Sequence, residues 1–150
     1  MTQRVRWSQS NAGVKAMQQV EAYLAPALDK KLLALVKMRA SQINGCVYCL
    51  HMHSEEARNF GEDEDRLILL DAWRESALYT ESERAALAWT EALTNIARTH
   101  APDDVFAEVK RRFSEEQIVA LSIAIAMINA WNRLAIGVRA EHPSDARKAA

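Results

Sequence analysis

The chain contains two cysteines, Cys46 and Cys49, both within the stretch INGCVYCLHMHSEEA, and His51 and His53 follow at once. A C-x-x-C pair can cycle between dithiol and disulfide, clamp a metal, or pack as two small apolar side chains. On a helix advancing about 100° per residue, with Cys46 at zero, Cys49 falls near 300° and His53 near 340°. His51 falls near 140° on the same scale, roughly opposite. Cys46, Cys49 and His53 therefore share a face, and Cys49 and His53 have the i, i+4 spacing that brings side chains together. Asn44-Gly45 places Cys46 at a helix start, where unpaired N–H groups and the helix dipole favour a thiolate. A histidine one turn away can take a thiol proton or hold a thiolate by charge. Such a pair suits peroxide reduction or disulfide exchange, the second thiol trapping a sulfenic acid as a disulfide.

The other readings of the motif stay open on spacing alone. A structural zinc site takes four ligands, and beyond Cys46, Cys49 and His53 the chain offers only the distant His100 and His142 in addition to His51. A catalytic zinc could use three protein ligands. Two buried thiols beside a satisfied histidine would need no function at all. A thioredoxin-like arrangement is disfavoured because no βαβ pattern surrounds the pair.

The elements that must carry these residues read as all-α. Gly and Pro are scarce, at 4 and 3 residues, and no stretch alternates apolar and polar residues for long. About seven helices are expected in one domain, 1–150. The first runs from Asn11 to about Leu24, ending near Pro26. The second begins after Asp29 and stops near Ile43. The third spans about Cys46 to Phe60, with Gly61 as its C′ residue, and a fourth covers about Asp63 to Arg74. Thr80 with Glu83 forms a capping box that opens the fifth, Pro102 with Asp103 and Asp104 starts the sixth, and Ser114 with Gln117 opens the long apolar seventh. Trp73, Trp89 and Trp131 read as packing residues. Asn129, Asn132 and Arg133 interrupt the apolar helix and read as buried hydrogen-bonding groups or a helix or subunit contact, because polar groups there must find partners.

The net charge of −1 gives no case for nucleic acid or an anionic membrane. The N-terminal MTQRVRWSQSNAG lacks the apolar core of a secretory signal. The apolar run Ile118 to Trp131 is shorter than the about 20 residues a bilayer requires. A cytoplasmic protein is expected, where a close dithiol is kept reduced and is more often catalytic, redox-active or metal-binding than a structural staple.

The segment LVKMRASQINGCVYCLHMH (35–53) resembles the core motif of the alkylhydroperoxidase D-like proteins of the carboxymuconolactone decarboxylase superfamily. The family's R-x-S-x-x-N-G followed by C-x-x-C-x-x-x-H is matched at Arg39, Ser41, Asn44, Gly45, Cys46, Cys49 and His53. The likeness continues through LDAWRES (70–76), ERAALAWTEALT (83–94) and INAWNRLAIGVR (128–139), most of the chain. The resemblance implies an all-α homo-oligomer, a trimer or a hexamer, that reduces hydroperoxides without a cofactor or a metal. By position, Cys49 would attack the peroxide, Cys46 would donate a proton and resolve the sulfenic acid, and His53 would serve the proton relay. A dithiol or lipoyl-type partner would return the electrons. The helix-dipole reasoning alone favours Cys46 as the more acidic sulfur, so the two lines of reasoning differ on which thiol attacks. One departure stands out. Well-known members carry a glutamate twelve residues before the first cysteine, where this chain has Ala34, and no carboxylate lies between Lys30 and His53. Lys37 and Arg39 are the nearby ionisable groups on that helix. Tyr48 stands between the cysteines where some members have histidine. Water, or a carboxylate from elsewhere such as Glu55 or Glu83, could complete the relay. A lactone-acid decarboxylase is the other enzyme class in the superfamily, though its members generally lack the C-x-x-C. A redox-sensing or scaffold oligomer is the non-enzymatic alternative.

Overall fold

A computed structural model describes residues 2–6 and 10–141; His142 and the basic pair Arg147 and Lys148 lie outside the described residues. Among the described residues the chain is helical and has no strand. In order, the helices are α1 (Ala12–Ala27), α2 (Lys30–Asn44), α3 (Val47–Asn59), α4 (Glu64–Ile68), a 3₁₀ segment (Leu69–Glu75), α5 (Glu81–Thr94), α6 (Ile96–Thr99), α7 (Asp103–Arg112) and α8 (Glu115–Val138). The expected all-α fold is thus present, with one expected helix divided and one short helix added.

The caps explain most of the boundaries. Asn11 accepts the Gly13 and Val14 N–H groups, and Asp29 those of Lys31 and Leu32. Both expected capping boxes form, Thr80 with Glu83 and Ser114 with Gln117, each satisfying two orphan donors. Gly45 ends α2 in the left-handed region, at φ 68°. Gly61, at φ 76°, follows Phe60 as the C′ residue of α3.

Three differences from the sequence expectation have local causes. Pro26 lies inside α1, in its last turn, where a missing N–H removes one hydrogen bond at a fraying end and does not break the helix. The expected fourth helix changes to 3₁₀ geometry after Ile68, with a kink at Ala72. The buried residues there are Leu67, Leu70 and Trp73, three apart, and a three-residue turn keeps all of them on one side. The short α6 carries no buried residue, so no apolar period announced it; His100 and Ala101, both at positive φ, then turn the chain into Pro102.

α2 is the central element. It packs on α3, α5 and α8 and contributes the fully buried Leu35, Val36 and Ala40. α8 is long and apolar enough to cross a membrane by length and composition, but half of that stretch is buried inside the fold, the position of a core helix. Three groups of buried side chains result. The largest joins α1, α2, α5, α7 and α8; a second joins α2 and α3 to the 3₁₀ segment and α5. The third is small and holds both cysteines, with Ala40 of α2 and Ile128 and Ala135 of α8. Ion pairs clamp the rim: Arg39 Nε reaches Glu91 at 2.8 Å, Arg39 also meets Asp71, and Arg74 meets Glu91. Burial would raise the Glu91 carboxyl, but hydrogen bonds from Trp73 and Arg74 and the Arg39 charge hold it below its ordinary range.

Candidate active site

Cys46 is the N-cap of α3, one position before the helix. Its sulfur accepts the Cys49 N–H at 3.4 Å. The sulfurs of Cys46 and Cys49 lie 2.6 Å apart, and both residues are free thiols, 1% and 2% exposed. The Asn-Gly turn and the cap fix this geometry. Gly45 takes the left-handed backbone that ends α2, so the next residue begins α3 with its side chain over the helix N-terminus.

The two thiols are not equivalent. The hydrogen bond from the Cys49 thiol, joined by the Cys49 N–H, the Asn132 amide and the Tyr48 N–H, brings Cys46 down to about 7 against the opposing effect of burial. Cys49 moves the other way. Its S–H donates a hydrogen bond to Cys46, it is buried, and it faces the Cys46 charge, so its own thiol is pushed far up. Of the two thiols, Cys46 is therefore the one that ionises first, and the Cys49 thiol is the one that holds its proton.

A cavity of about 410 Å³ opens onto Cys49, not onto Cys46. His53, Tyr48, Glu56 and Lys37 line it together with apolar side chains that include Ala34, Met52, Phe60 and Trp131. The structure thus gathers Cys46, Cys49 and His53 at one place. His51 is not part of the lining and pairs with Glu55 through Nε2 at 3.3 Å. Ala34 forms part of the wall, so the position without an acid faces the cavity directly.

The carboxylates near the dithiol are not those the sequence suggested. Glu55 pairs with His51, and Glu83 pairs with Arg66 at 2.5 Å in a cluster with Glu62, none of the three lining the cavity. Glu56 takes their place. Its Oε2 lies 2.7 Å from Nδ1 of His53, whose ring is almost fully buried. The hydrogen bond from His53, helped by the Lys37 charge, holds the Glu56 carboxyl below its ordinary range. With Nδ1 engaged as a donor, Nε2 is the ring nitrogen left for chemistry. Glu56 is three residues beyond His53 on the same helix, a spacing that could have been read directly.

A second carboxylate enters from α1. Glu21 accepts from Lys37 Nζ at 2.6 Å through one oxygen and from Trp131 Nε1 at 3.0 Å through the other. It joins three helices at the cavity wall. Lys37 is thereby held, mostly buried, against Glu21, and its charge is also felt by the Glu56 carboxylate. Among the described residues no group of three His, Cys, Asp or Glu side chains is arranged to hold a metal ion.

Comparison with known proteins places the chain and its fold in a family. The chain is 38% identical over 140 residues to YdfG of Bacillus subtilis, covering 92% of this chain and 95% of the relative. It superposes on ATU0492 of Agrobacterium tumefaciens with a TM-score of 0.91 and 43% identity, over 95% of this chain and 99% of the other. ATU0492 is a protein of unknown function for which the antioxidant defence role of AhpD has been suggested. The debrominase Bmp8 shares the fold, with a TM-score of 0.79 at 24% identity over 89% of this chain and 73% of its own. Residues 9–92 match the carboxymuconolactone decarboxylase family. With its helical fold, its matched segment and its full-length relatives, the chain belongs to the carboxymuconolactone decarboxylase family and has the AhpD-like fold.

Proposed function

We propose that the protein reduces organic hydroperoxides through the Cys46–Cys49 dithiol, cycling through a disulfide. The observation that carries this reading is the pair itself: two reduced sulfurs 2.6 Å apart, one of them facing a largely apolar cavity beside a histidine–carboxylate pair. The proton shared by the sulfurs reconciles the two views of which thiol attacks. Cys46 ionises first, but substrate meets Cys49. When the proton passes from Cys49 to Cys46, the exposed partner becomes the nucleophile.

The Cys49 thiolate attacks the terminal peroxide oxygen, the O–O bond breaks, and Cys49 becomes a sulfenic acid. The departing alkoxide takes a proton from Nε2 of protonated His53, which Glu56 keeps oriented through Nδ1. Cys46 then attacks the Cys49 sulfur, and the hydroxide expelled leaves as water with the Cys46 proton. Two electrons have moved from the dithiol to the peroxide, giving an alcohol, water and a disulfide. A small or arm-borne dithiol, of the lipoyl type, returns them by exchange. The burial of both sulfurs favours a reductant slender enough to enter the cavity.

Peroxide consumption with a dithiol reductant tests the reading in wild type, Cys46→Ser and Cys49→Ser. Turnover should be lost in both variants. A sulfenic-acid trap should label Cys49 in Cys46→Ser and leave Cys49→Ser unlabelled. Turnover equal to wild type in both variants would overturn the proposal.

A further inference from the structure

Lys37 is only 9% exposed and lines the cavity that opens onto Cys49. Neither the attack at sulfur nor the proton from His53 uses it. An ammonium has three N–H donors. Among the described residues Glu21 is its hydrogen-bond partner, at 2.6 Å, and takes one of them. Glu21 is itself fixed, because its other oxygen accepts the Trp131 indole N–H at 3.0 Å. The carboxylate therefore holds the ammonium at the wall and leaves two of its donors without a protein acceptor. Buried donors are costly unless something accepts from them. Lys30, the other cation in the lining, is different. It is exposed, and its Nζ lies 5.1 Å from the centre of the Phe60 ring.

The lining also holds two carboxylates, Glu21 and Glu56, which balance the two lysines. Such a cavity has little to attract an anion, and a neutral hydroperoxide suits it. When the O–O bond breaks, the departing oxygen becomes negative inside a space of about 410 Å³ walled largely by apolar side chains. A hydrogen bond from a cation is stronger to that oxygen than to the intact peroxide, and more so away from bulk water. An interaction that strengthens as the reaction proceeds accelerates it.

We infer that Lys37 is a catalytic hydrogen-bond donor that holds the departing peroxide oxygen while Cys49 attacks, and that alkyl hydroperoxides, whose leaving alkoxides are strongly basic, depend on it most. In that step the sulfur electron pair forms the S–O bond, the O–O pair passes to the departing oxygen, and His53 supplies the proton. Lys37 keeps its three protons throughout. The inference rests on the redox reading of the pair and adds the group that receives the developing charge.

Two oxidants with different leaving groups test the inference in the reduced full-length protein. Tert-butyl hydroperoxide expels an alkoxide, and peracetic acid expels acetate, a far weaker base. Formation of the Cys46–Cys49 disulfide is followed over one turnover, without added reductant. Lys37→Met removes the cation at similar length. It should slow oxidation by tert-butyl hydroperoxide about a hundredfold and by peracetic acid no more than about threefold. Comparing two oxidants on one dithiol cancels any change in the thiols themselves. Lys37→Met combined with Glu21→Gln removes the carboxylate left unpaired and should show the same disparity. Should neither variant fold, the wild-type protein still decides. Tert-butyl alcohol, the product, should shift the Nζ resonance of Lys37 and leave that of the exposed Lys110 on α7 fixed. Unchanged rates or equal slowing of both oxidants in folded Lys37→Met, or a Lys37 resonance indifferent to the product, would overturn the inference and leave the redox reading intact. If neither oxidant forms the disulfide in wild type, the redox reading falls and the inference falls with it.

Discussion

At the scale of single residues, Glu56 and Ala34 divide one task between two helices. His53 needs a carboxylate to fix its tautomer, and Glu56 meets it from the next turn of α3 at 2.7 Å. Ala34, on α2, leaves the facing wall of the cavity small. Glu56→Gln keeps a hydrogen-bonding group but removes the charge, and kcat for peroxide reduction should fall on the order of tenfold. Ala34→Glu alone should change kcat little, because the task is already done. Combined with Glu56→Gln, it should restore part of the loss by offering a carboxylate from the opposite wall. Steady-state rates of the three variants check this, and a double variant no better than Glu56→Gln would show that the wall position cannot serve His53. The grouping of Cys46, Cys49 and His53 was legible from helical spacing. Glu56 was legible in principle, at i+3 from His53. Glu21 was not legible. It reaches Trp131 across 110 residues of sequence, and only the packing of α1 against α8 brings it there.

At the scale of elements, the α2–α3 corner decides whether a site exists. Gly45 adopts φ 68° with nothing within 4 Å of where a Cβ would stand. The cost of a side chain there is therefore conformational and not steric. Gly45→Ala should lose about 1 kcal/mol of stability in a urea titration, with an unchanged slope. It should also weaken the Cys46 cap, because the same backbone turn aims that sulfur at the Cys49 N–H. No loss of stability would mean that the corner relaxes without the left-handed residue. Corners and caps of this kind are written in short, local sequence, which is why Asp29, Thr80, Ser114 and both turn glycines announced their roles. The 3₁₀ segment and α6 did not. The first depends on burying Leu67, Leu70 and Trp73 against α2 and α5, a tertiary demand, and the second buries nothing.

At the scale of the whole molecule, the dithiol links folding to pH. Cys46 is lowered from 9.0 to about 7 in the folded protein. Between those values the native state binds fewer protons than the unfolded state, so this group's contribution to stability rises with pH and is lost as pH falls through 7. Cys49 is raised, so its contribution has the opposite sign and appears as stability lost above about 9. A disulfide has no thiol to titrate. Urea midpoints of the reduced protein, minus those of the oxidised protein, should climb from pH 6.5 to 8.5. A flat difference across that range would contradict the lowered Cys46. Subtraction removes the carboxylates Glu56, Glu83 and Glu91, whose lowered values act only in acid.

The carboxylate of Glu21 ties the indole of Trp131 to Lys37 at the wall of the cavity that holds Cys49. An indole so placed is an optical reporter. Disulfides quench tryptophan emission at short range, and a ligand entering the cavity would alter the polarity around the ring. Oxidation with one equivalent of peroxide should therefore dim the protein's fluorescence, and reduction should restore it. Trp131→Phe should remove most of that change, although Trp7, Trp73 and Trp89 continue to emit. The redox state of the pair would then be visible in real time, in unlabelled protein, through a side chain that takes no part in the chemistry.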